Sequence, residues 1–382
     1  MGDRPLKIVY CTPALYMAGG VERVLTLKAN YFAEHFGYDI TIILTEGKDN
    51  PLFYNLSNKI RVINLNIGFE ELWNCSFVQK IFVYLKKQYR FKKVLKKELF
   101  RIRPDITISL LRREINFIND IKDGSKKIGE LHINRANYRN FDKSQSNMIK
   151  SIFSRFWINS LLSNLKRLDK LVVLTEMDKA AWVELNNVVV IPNPLPFSSS
   201  VISSQNNKRV IVVGRYCHEK GYDYLLQAWA KVQVVCQDWQ LVIFGDGDRI
   251  VYEQMMADLH IDFSRCVLNG RTSDIQSEYA KSSLAVCSSR FEGFGLSIIE
   301  AMACGLPIVS FDCPWGPRSI ITDKEDGLLV DNGNIDKLAE YMIILMNDDK
   351  RRKLMSEKAV ANVQRFVIDK ISLQWKSLFE EL

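Results

Sequence analysis

The sequence predicts an α/β fold with two doubly wound, Rossmann-like domains that face each other across a cleft. Two observations support this prediction. Short β-branched runs alternate with helical stretches in both halves of the chain, and the alternation restarts after a segment near residue 195 that is rich in Pro, Ser and Asn. Such runs are typical of parallel strands covered by helices on both faces. The length of 382 residues suits two domains of ordinary size.

A linker separates the predicted domains. Asn193–Ser200 and Ser203–Lys208 have the composition of a connecting segment. We therefore expect an N-terminal domain over residues 1–195 and a C-terminal domain over residues 196–365. In doubly wound sheets, ligands bind at the carboxyl ends of the strands, and a cleft forms where two such domains face each other.

The first domain opens with the strand Lys7–Thr12, which leads to the turn Gly19-Gly20 and a helix over about residues 21–36. Glycines between a strand and a helix let backbone N–H groups approach a phosphate. They also fit a plain tight turn, and the G-x-G-x-x-G pattern of dinucleotide-binding folds is absent. Further strands are expected at Asp39–Leu44, Ile106–Leu110, Leu171–Leu174 and Val188–Ile191.

The second domain opens with the strand Arg209–Gly214, and Arg215 and Lys220 lie on the loop that follows it. Two fixed cations at a strand's carboxyl end can hold a diphosphate without a metal and stabilise a departing pyrophosphate. Taken alone, ordinary exposed charges explain the two residues equally well. The remaining strands are expected at Gln240–Phe244, Leu284–Cys287, Pro307–Phe311 and Gly327–Val330, and helices at Tyr222–Val234, Leu296–Cys304 and Ile335–Asn347.

The most specific pattern is Ser289-Arg-Phe-Glu-Gly-Phe-Gly-Leu-Ser-Ile-Ile-Glu300. Its two carboxylates, Glu292 and Glu300, stand eight residues apart, the first before a Gly-Phe-Gly loop and the second in the helix that follows. A loop carboxylate can accept hydrogen bonds from sugar hydroxyls, the loop amides can meet a phosphate, and Glu300 can chelate the two hydroxyls of a ribose. A purely structural explanation requires both acids and both glycines to follow the strand by chance.

Other chemistry has weaker support in the sequence. His132, one of only four histidines, is a candidate because loops of the first domain must contribute to the cleft, although a lone histidine is usually structural. Asp246-Gly-Asp248 matches a D-x-D metal motif, but its position after a strand favours an acidic turn, and we expect no metal site. The eight cysteines lack any C-x-x-C pair and are expected to be buried apolar side chains in a reducing cytoplasm.

Positive charge is concentrated in the first half of the chain. The net charge of +8 divides into +12 over residues 1–195 and −4 over residues 196–382. Lys80–Arg103 holds ten basic residues and one acid, with apolar residues near helical spacing. This basic amphipathic helix fits either an anionic membrane surface or a solvated face over ordinary core. Nucleic-acid binding has less support, since no DNA-binding motif accompanies the charge.

Together these motifs resemble the family-4 retaining glycosyltransferases of GT-B fold. The matching segments are Gly19–Arg23, Val190–Asn193, Gly214-Arg215, Glu219–Gly221, Phe291–Gly295, Glu300–Val309 and Gly327–Val330. The segment Phe311–Arg318 is similar to bacterial enzymes that extend lipid-linked or exopolysaccharide repeat units with UDP-activated sugars. Ser319 departs from the pattern, because relatives often carry a Glu there.

The resemblance implies a role for each matching residue. Arg215 and Lys220 would hold the donor diphosphate. Glu300 would bind the ribose, Glu292 the donor sugar, and His132 the donor sugar or the developing charge. No cofactor is implied beyond the UDP-sugar, which is a substrate. Backbone contacts to the phosphates are expected from Gly19, Gly20, Gly293, Phe294, Gly295 and Leu296.

The resemblance also implies the reaction. A hexose or N-acetylhexosamine would pass from a UDP-sugar to a glycan, carried by a polyprenyl diphosphate or a polysaccharide precursor, and form an α-linkage by front-face displacement. The enzyme would lie on the inner face of the plasma membrane, held by the basic helix, and residues 366–382 would cross back to the N-terminal domain. Two alternatives stay open: a nucleotide-sugar epimerase or hydrolase of the same fold, and a catalytically silent subunit that binds sugar nucleotides.

Overall fold

The computed structural model describes residues 4–74, 76–140, 148–197 and 201–382. Cys75 and the linker residues Ser198–Ser200 lie outside the described residues. The chain divides into two compact units: Met1–Pro194 together with Ile368–Leu382, and Leu195–Val367. Each unit contains its own parallel sheet. The predicted α/β class with two doubly wound domains is therefore confirmed.

The sheet of the first unit has seven strands, which lie side by side in the order β3-β2-β1-β4-β5-β6-β7. The order reverses between β1 and β4, and in such sheets a ligand crevice forms at this reversal. The sheet interior is apolar; in β1, for example, every residue after Lys7 is buried. The strands are β1 (Lys7–Thr12), β2 (Asp39–Leu44), β3 (Arg61–Asn64), β4 (Ile106–Ser109), β5 (Lys126–Glu130), β6 (Lys170–Val173) and β7 (Val188–Val190).

Helices cover both faces of this sheet. One face packs against α1 and the closing helix α11, where Phe32 and Phe379 meet edge to face at 5.8 Å between ring centroids. The other face packs against α2 and α3 through side chains such as Leu95 and Leu165. The helices of the first unit are α1 (Gly20–His35), α2 (Phe77–Ile102), α3 (Met148–Lys166), α4 (Glu176–Ala181) and α11 (Ile368–Glu380).

The second unit has a six-stranded sheet with the order β10-β9-β8-β11-β12-β13, which reverses between β8 and β11. Its strands are β8 (Arg209–Val213), β9 (Gln240–Phe244), β10 (Cys266–Asn269), β11 (Leu284–Cys287), β12 (Ile308–Asp312) and β13 (Gly327–Asp331). Its helices are α5 (Tyr222–Val235), α6 (Ile250–Asp258), α7 (Ile275–Ala280), α8 (Leu296–Ala303), α9 (Ile335–Asn347) and α10 (Asp349–Val363).

Most predicted elements lie within one residue of their expected ends, but the edge strands β3 and β10 were missed. In β3, Arg61 and Val62 are exposed, so the sequence lacks the apolar run that marks a buried strand. The basic helix α2 begins at Phe77 rather than Lys80, because Ser76 and Gln79 form a capping box at its start.

Two global properties of the described chain concern membrane spans and thiols. None of its helices is both long and apolar enough to cross a bilayer. Its seven described cysteines are free thiols, and six of them are buried, Cys217 being the partly exposed one. The cysteines of the sheets therefore serve as small apolar side chains, as expected.

Candidate active site

The carboxyl ends of β8 and β11 lie side by side in the second unit. The two strands pair in parallel, with Val210 opposite Leu284. The loop after β8 carries Arg215 and Lys220, and the loop after β11 leads through Glu292 to α8 and Glu300. The fold therefore gathers residues that the sequence separates by more than seventy positions.

Lys220 and Glu292 form a close ion pair. Nζ of Lys220 lies 2.6 Å from Oε1 of Glu292, and the two side chains are only 21% and 12% exposed. The hydroxyl of Ser289 donates to the same carboxylate oxygen at 2.6 Å. Burial alone would lower the pKa of Lys220, but the carboxylate of Glu292 outweighs it and raises that pKa to about 12. A fixed cation and a fixed carboxylate thus lie together beside the carboxyl ends of β8 and β11.

Gly221 explains how the two loops approach so closely. Its φ of +61° lies in the left-handed region, and a Cβ placed there would lie 2.1 Å from the carbonyl oxygen of Ser288. The hydroxyl of Ser288 in turn donates to the carbonyl of Lys220 at 2.9 Å. Arg290 strengthens the junction through an ion pair of 2.6 Å with Asp223. A side chain at position 221 would push Lys220 away from Glu292.

Glu300 lies in the second turn of α8 and is 5% exposed. The hydroxyl of Tyr279, on α7, lies 3.3 Å from Oε2 of Glu300 and 3.3 Å from the carbonyl oxygen of Ser297. Tyr279 thus supports the carboxylate from the side of α7. No sequence pattern singles out Tyr279, since an aromatic residue in a short helix is usually a core residue.

The Gly-Phe-Gly loop forms the start of α8. Gly295 caps the helix with a φ of +106° and, having no side chain, makes no side-chain cap hydrogen bond. Backbone amides at such a start can bind an anion. Phe294 is buried and meets Phe366 edge to face at 5.4 Å, so its side chain anchors the loop. A Cβ at Gly316 would lie 2.6 Å from Cβ of Glu292, which marks Gly316 as a further neighbour of the site.

Arg215 and Gly293 complete the second-unit candidates. Arg215 is exposed at the carboxyl end of β8, directly after Gly214. Gly293 lies between Glu292 and the buried Phe294. Leu296 is the first residue of α8. The structure therefore brings Lys220 and Glu292 into contact, and it places Arg215 just after β8 and Glu300 in α8, the helix that follows the loop after β11.

Gly19 and Gly20 belong to the first unit, where Gly19 caps α1 and Gly20 is the first helical residue. They follow β1 at the reversal of strand order. A Cβ at Gly19 would lie 1.9 Å from Oε2 of Glu22, the end of a flexible side chain. A side chain at position 19 could therefore be accommodated by movement of Glu22, whereas the backbone of Ser288 excludes a side chain at position 221.

His132 also belongs to the first unit, two residues beyond the last residue of β5. Its side chain is 8% exposed, and Nε2 lies 3.1 Å from Oε1 of Glu130, at an angle short of a well-formed hydrogen bond. The same oxygen of Glu130 forms an ion pair with Lys28 of α1. Nζ of Lys28 lies 4.3 Å from the ring centroid of Trp375 of α11. Sequence patterns indicated His132 as a candidate but neither Lys28 nor Glu130.

The D-x-D segment forms a turn at the start of α6. Oδ1 of Asp248 accepts the backbone amide of Ile250 at 2.9 Å, and Oδ1 of Asp246 accepts that of Gly247 at 3.1 Å. In residues 4–74, 76–140, 148–197 and 201–382, no three His, Cys, Asp or Glu side chains cluster as a metal site. The predicted absence of a metal from the reaction remains a prediction.

The chain is similar to known glycosyltransferases. The family described as glycosyl transferases group 1 matches residues 198–361, which include all the site residues of the second unit. An uncharacterized glycosyltransferase of Haemophilus influenzae is 30% identical over 382 aligned residues, which cover 97% of this chain and 99% of that protein. The likeness therefore extends over both units.

Two further proteins are similar over nearly the whole chain. A protein of Campylobacter jejuni is 26% identical over 96% of each chain, and its name is GalNAc-alpha-(1->4)-GalNAc-alpha-(1->3)-diNAcBac-PP-undecaprenol alpha-1,4-N-acetyl-D-galactosaminyltransferase. A solved structure of a TarM mutant of S. aureus, in complex with Fondaparinux, alpha-GlcNAc-glycerol and UDP, matches with a TM-score of 0.77. It is 17% identical and covers 98% of this chain and 99% of that chain, which shows a shared fold.

Proposed function

This chain belongs to the group 1 glycosyl transferases, and from that premise we propose that it transfers a hexose or N-acetylhexosamine from a UDP-sugar to a glycan acceptor. The acceptor is a lipid-linked glycan or a polysaccharide precursor, and the new bond is an α-linkage. The observation that carries the proposal is the contact between Lys220 and Glu292, 2.6 Å, at the carboxyl ends of β8 and β11. It joins a phosphate-binding cation to a sugar-binding carboxylate.

Each part of the donor has a partner of suitable chemistry. Lys220 and Arg215 supply positive charge for the diphosphate, and the first-turn amides of α8 supply hydrogen-bond donors. Glu300, held beside Tyr279, supplies the carboxylate for the ribose hydroxyls. Glu292 then serves the hydroxyls of the donor sugar, and a diphosphate that draws Lys220 toward itself releases that carboxylate for them.

The reaction that fits these groups is a front-face displacement. The acceptor hydroxyl oxygen bonds to the anomeric carbon on the face that the diphosphate leaves. The broken C–O bond gives its electron pair to the departing phosphate oxygen, and the hydroxyl proton moves to that phosphate. UDP and the glycoside are the products. Lys220 and Arg215 stabilise the charge that develops on the leaving group, and such preorganised charge is usually the largest catalytic contribution.

The similar proteins support the finer assignments. UDP is bound in the TarM mutant structure, which shares this fold. An undecaprenol diphosphate carries the glycan in the name of the Campylobacter relative. We extend both features to this chain as part of the proposal, together with a position on the inner face of the plasma membrane.

Helix α2 offers a surface for such a membrane. Phe82, Leu85 and Tyr89 are 71%, 58% and 73% exposed, although they are apolar or aromatic. At 100° per residue they share one side of the helix with Lys86 and Lys93, which are exposed as well. The core contacts of α2 come from other positions, among them Phe91 and Leu95. An exposed stripe of aromatic and basic side chains suits an interface with anionic lipid.

Nucleotide binding tests the proposed function. The purified protein is heated with UDP, GDP, ADP or their sugars, and the melting temperature is recorded. A ligand at 100 times its Kd adds about 2.7 kcal/mol to the free energy of unfolding. We expect UDP and one UDP-sugar to raise the melting temperature, and Glu300→Ala to abolish the rise. A chain stabilised by none of the nucleotides contradicts the proposal.

The two alternatives predict different products. A hydrolase or epimerase consumes the UDP-sugar without any acceptor, whereas the proposed transferase releases UDP fully only when acceptor is present. A silent subunit binds UDP but releases none from the sugar under either condition. Measuring UDP release with and without acceptor therefore distinguishes all three functions.

A further inference from the structure

The first unit contains a buried cluster of charge that the proposed reaction does not use. Lys28 and Glu130 form an ion pair whose side chains are 1% and 2% exposed. Glu130 is the last residue of β5, and His132 follows it by two residues, with Nε2 3.1 Å from Oε1 of Glu130. Trp375 covers the ammonium of Lys28 at 4.3 Å. Lys28 of α1, Glu130 of β5 and Trp375 of α11 thus lie together beside the imidazole of His132.

Burying an ion pair at this position costs free energy. Removing two charges from water costs several kcal/mol for each ion, and well-packed apolar residues often serve stability equally well. Burial alone would raise the pKa of Glu130, but Lys28 and His132 outweigh it and bring that pKa down to about 2. The carboxylate is therefore ionised at neutral pH, and an ionised carboxylate can only accept hydrogen bonds.

We propose that Glu130, kept ionised by Lys28, is a positioning residue that holds the proton of His132 on Nε2. The inference deepens the proposed function and rests on it, with His132 in the role that the resemblance implies, a contact with the donor sugar or with the charge that develops in the reaction. Nε2 lies 3.1 Å from Oε1 of Glu130, within reach of a hydrogen bond once the ring tilts. Hydrogen bonds of this kind commonly tighten only when substrate binds.

This arrangement commits one ring nitrogen and leaves the other. Nδ1 of His132 is enclosed and, like Nε2 before any tilt of the ring, has no well-formed hydrogen bond among the described residues. An enclosed polar atom without a partner costs free energy, and a neutral Nδ1 whose proton is held on the other nitrogen can only accept a hydrogen bond. A ring tilt that joins Nε2 to Glu130 also moves Nδ1, so Lys28 and Glu130 determine which nitrogen carries the proton and which one can accept a bond from a substrate hydroxyl.

Histidine NMR separates this role from a purely structural one. The chain has four histidines, so ¹⁵N-labelled histidine gives few signals, and His132→Asn identifies the one of interest. We expect the wild-type His132 signal to show a proton on Nε2. Glu130→Gln keeps the size of the side chain but presents an amide that no longer dictates the proton's position, so the preference for Nε2 should disappear. The control is Glu114→Gln, another buried carboxyl of the first unit, which should leave the signal unchanged.

The double variant Lys28→Met/Glu130→Gln guards against mere misfolding. Removing both charges avoids the unpaired buried ion that either single change leaves, so the melting temperature should stay close to that of the wild type. We expect kcat to fall about 10-fold to 100-fold in Glu130→Gln and in the double variant, with little change in KM for the UDP-sugar. Glu114→Gln should retain wild-type kcat.

The outcomes separate the inference from the function beneath it. A double variant that recovers both stability and kcat means that the pair is structural, and it overturns the inference, as does an unchanged His132 signal in Glu130→Gln. Full turnover by His132→Asn, in contrast, would show that His132 has no role in the transfer. The ion pair of Lys28 and Glu130 would then have no catalytic role either, whatever the NMR signal shows.

Discussion

Lys220 and Glu292 are in contact, with 2.6 Å between Nζ and Oε1, although 72 residues separate them in the sequence. One residue of the pair is expected to bind the diphosphate and the other the sugar. Because the two side chains are in contact, a change at either residue alters the electrostatic environment of the other. A variant of one residue should therefore affect both parts of the donor.

Lys220→Met should weaken donor use at least about tenfold in kcat/KM, since it removes a charge-assisted contact and leaves Glu292 without its cation. Steady-state kinetics with the UDP-sugar measure the effect. Lys350→Met, at an exposed lysine of α10, is the matched control and should behave as the wild type. Equal activity of the two variants would contradict the role of Lys220.

The same ion pair has a consequence for pH. The pKa of Lys220 rises to about 12 from its usual 10.5, so the ammonium is charged throughout the range from pH 8 to pH 10. Because a raised lysine pKa gives stabilisation that is complete below the unfolded pKa, that contribution is lost only as the pH rises through 12. Calorimetric titration should thus give a Lys220-dependent part of UDP affinity that is constant from pH 8 to 10.

Gly221→Ala should lower both stability and UDP affinity. The new Cβ meets the carbonyl of Ser288 and occupies a left-handed backbone conformation, which by itself costs about 1–2 kcal/mol. Gly270→Ala is the control, since a Cβ at Gly270 has nothing within 4 Å. Thermal unfolding with and without UDP measures both effects. If Gly221→Ala melts and binds UDP like Gly270→Ala, the close approach of the two loops is not required.

Tyr279→Phe tests the support of Glu300. Loss of one hydroxyl that lies 3.3 Å from Oε2 of Glu300 should weaken UDP binding about two- to tenfold, the value of one hydrogen bond. Inorganic pyrophosphate, which has no ribose, should bind the variant as it binds the wild type. Equal weakening of both ligands would place the effect of Tyr279 on the phosphates and contradict the ribose assignment.

Charge reversal on α2 tests the membrane surface. Each exposed lysine near an anionic bilayer contributes about 1 kcal/mol, so Lys86→Glu/Lys93→Glu should weaken binding to phosphatidylglycerol vesicles about 30-fold or more. Lys350→Glu/Lys358→Glu makes the same change in net charge on α10 and should have little effect. Phe82→Ala/Tyr89→Ala should weaken binding without changing the charge. Unchanged vesicle binding by both double variants of α2 would show that α2 is not the membrane-binding surface.

The strands were predictable because their signal is local. β1 and β2 were placed with their observed ends from short β-branched runs, and residues of that kind suit a strand buried on both faces. The edge strand β3 escaped because its exposed residues carry no apolar pattern. Glu292 and Glu300 were selected as candidates from a specific spacing, which is likewise visible along the chain.

Contacts between residues that are distant along the chain could not be predicted from the sequence. Lys28 looks like any surface lysine of a helix, and only the packing of α1 and α11 encloses it with Glu130 and Trp375. Tyr279 and Ser289 likewise gain meaning only beside Glu300 and Glu292. Partners of this kind depend on tertiary structure, since neither residue type nor spacing distinguishes them.

The most direct test of the proposed transfer is UDP release from the donor that stabilises the protein, measured with and without a glycan on a polyprenyl diphosphate. We expect acceptor-dependent UDP release, an α-linked product, and loss of release in both Lys220→Met and Glu292→Gln. UDP release that ignores the acceptor, or a β-linked product, would contradict the proposed retaining transfer.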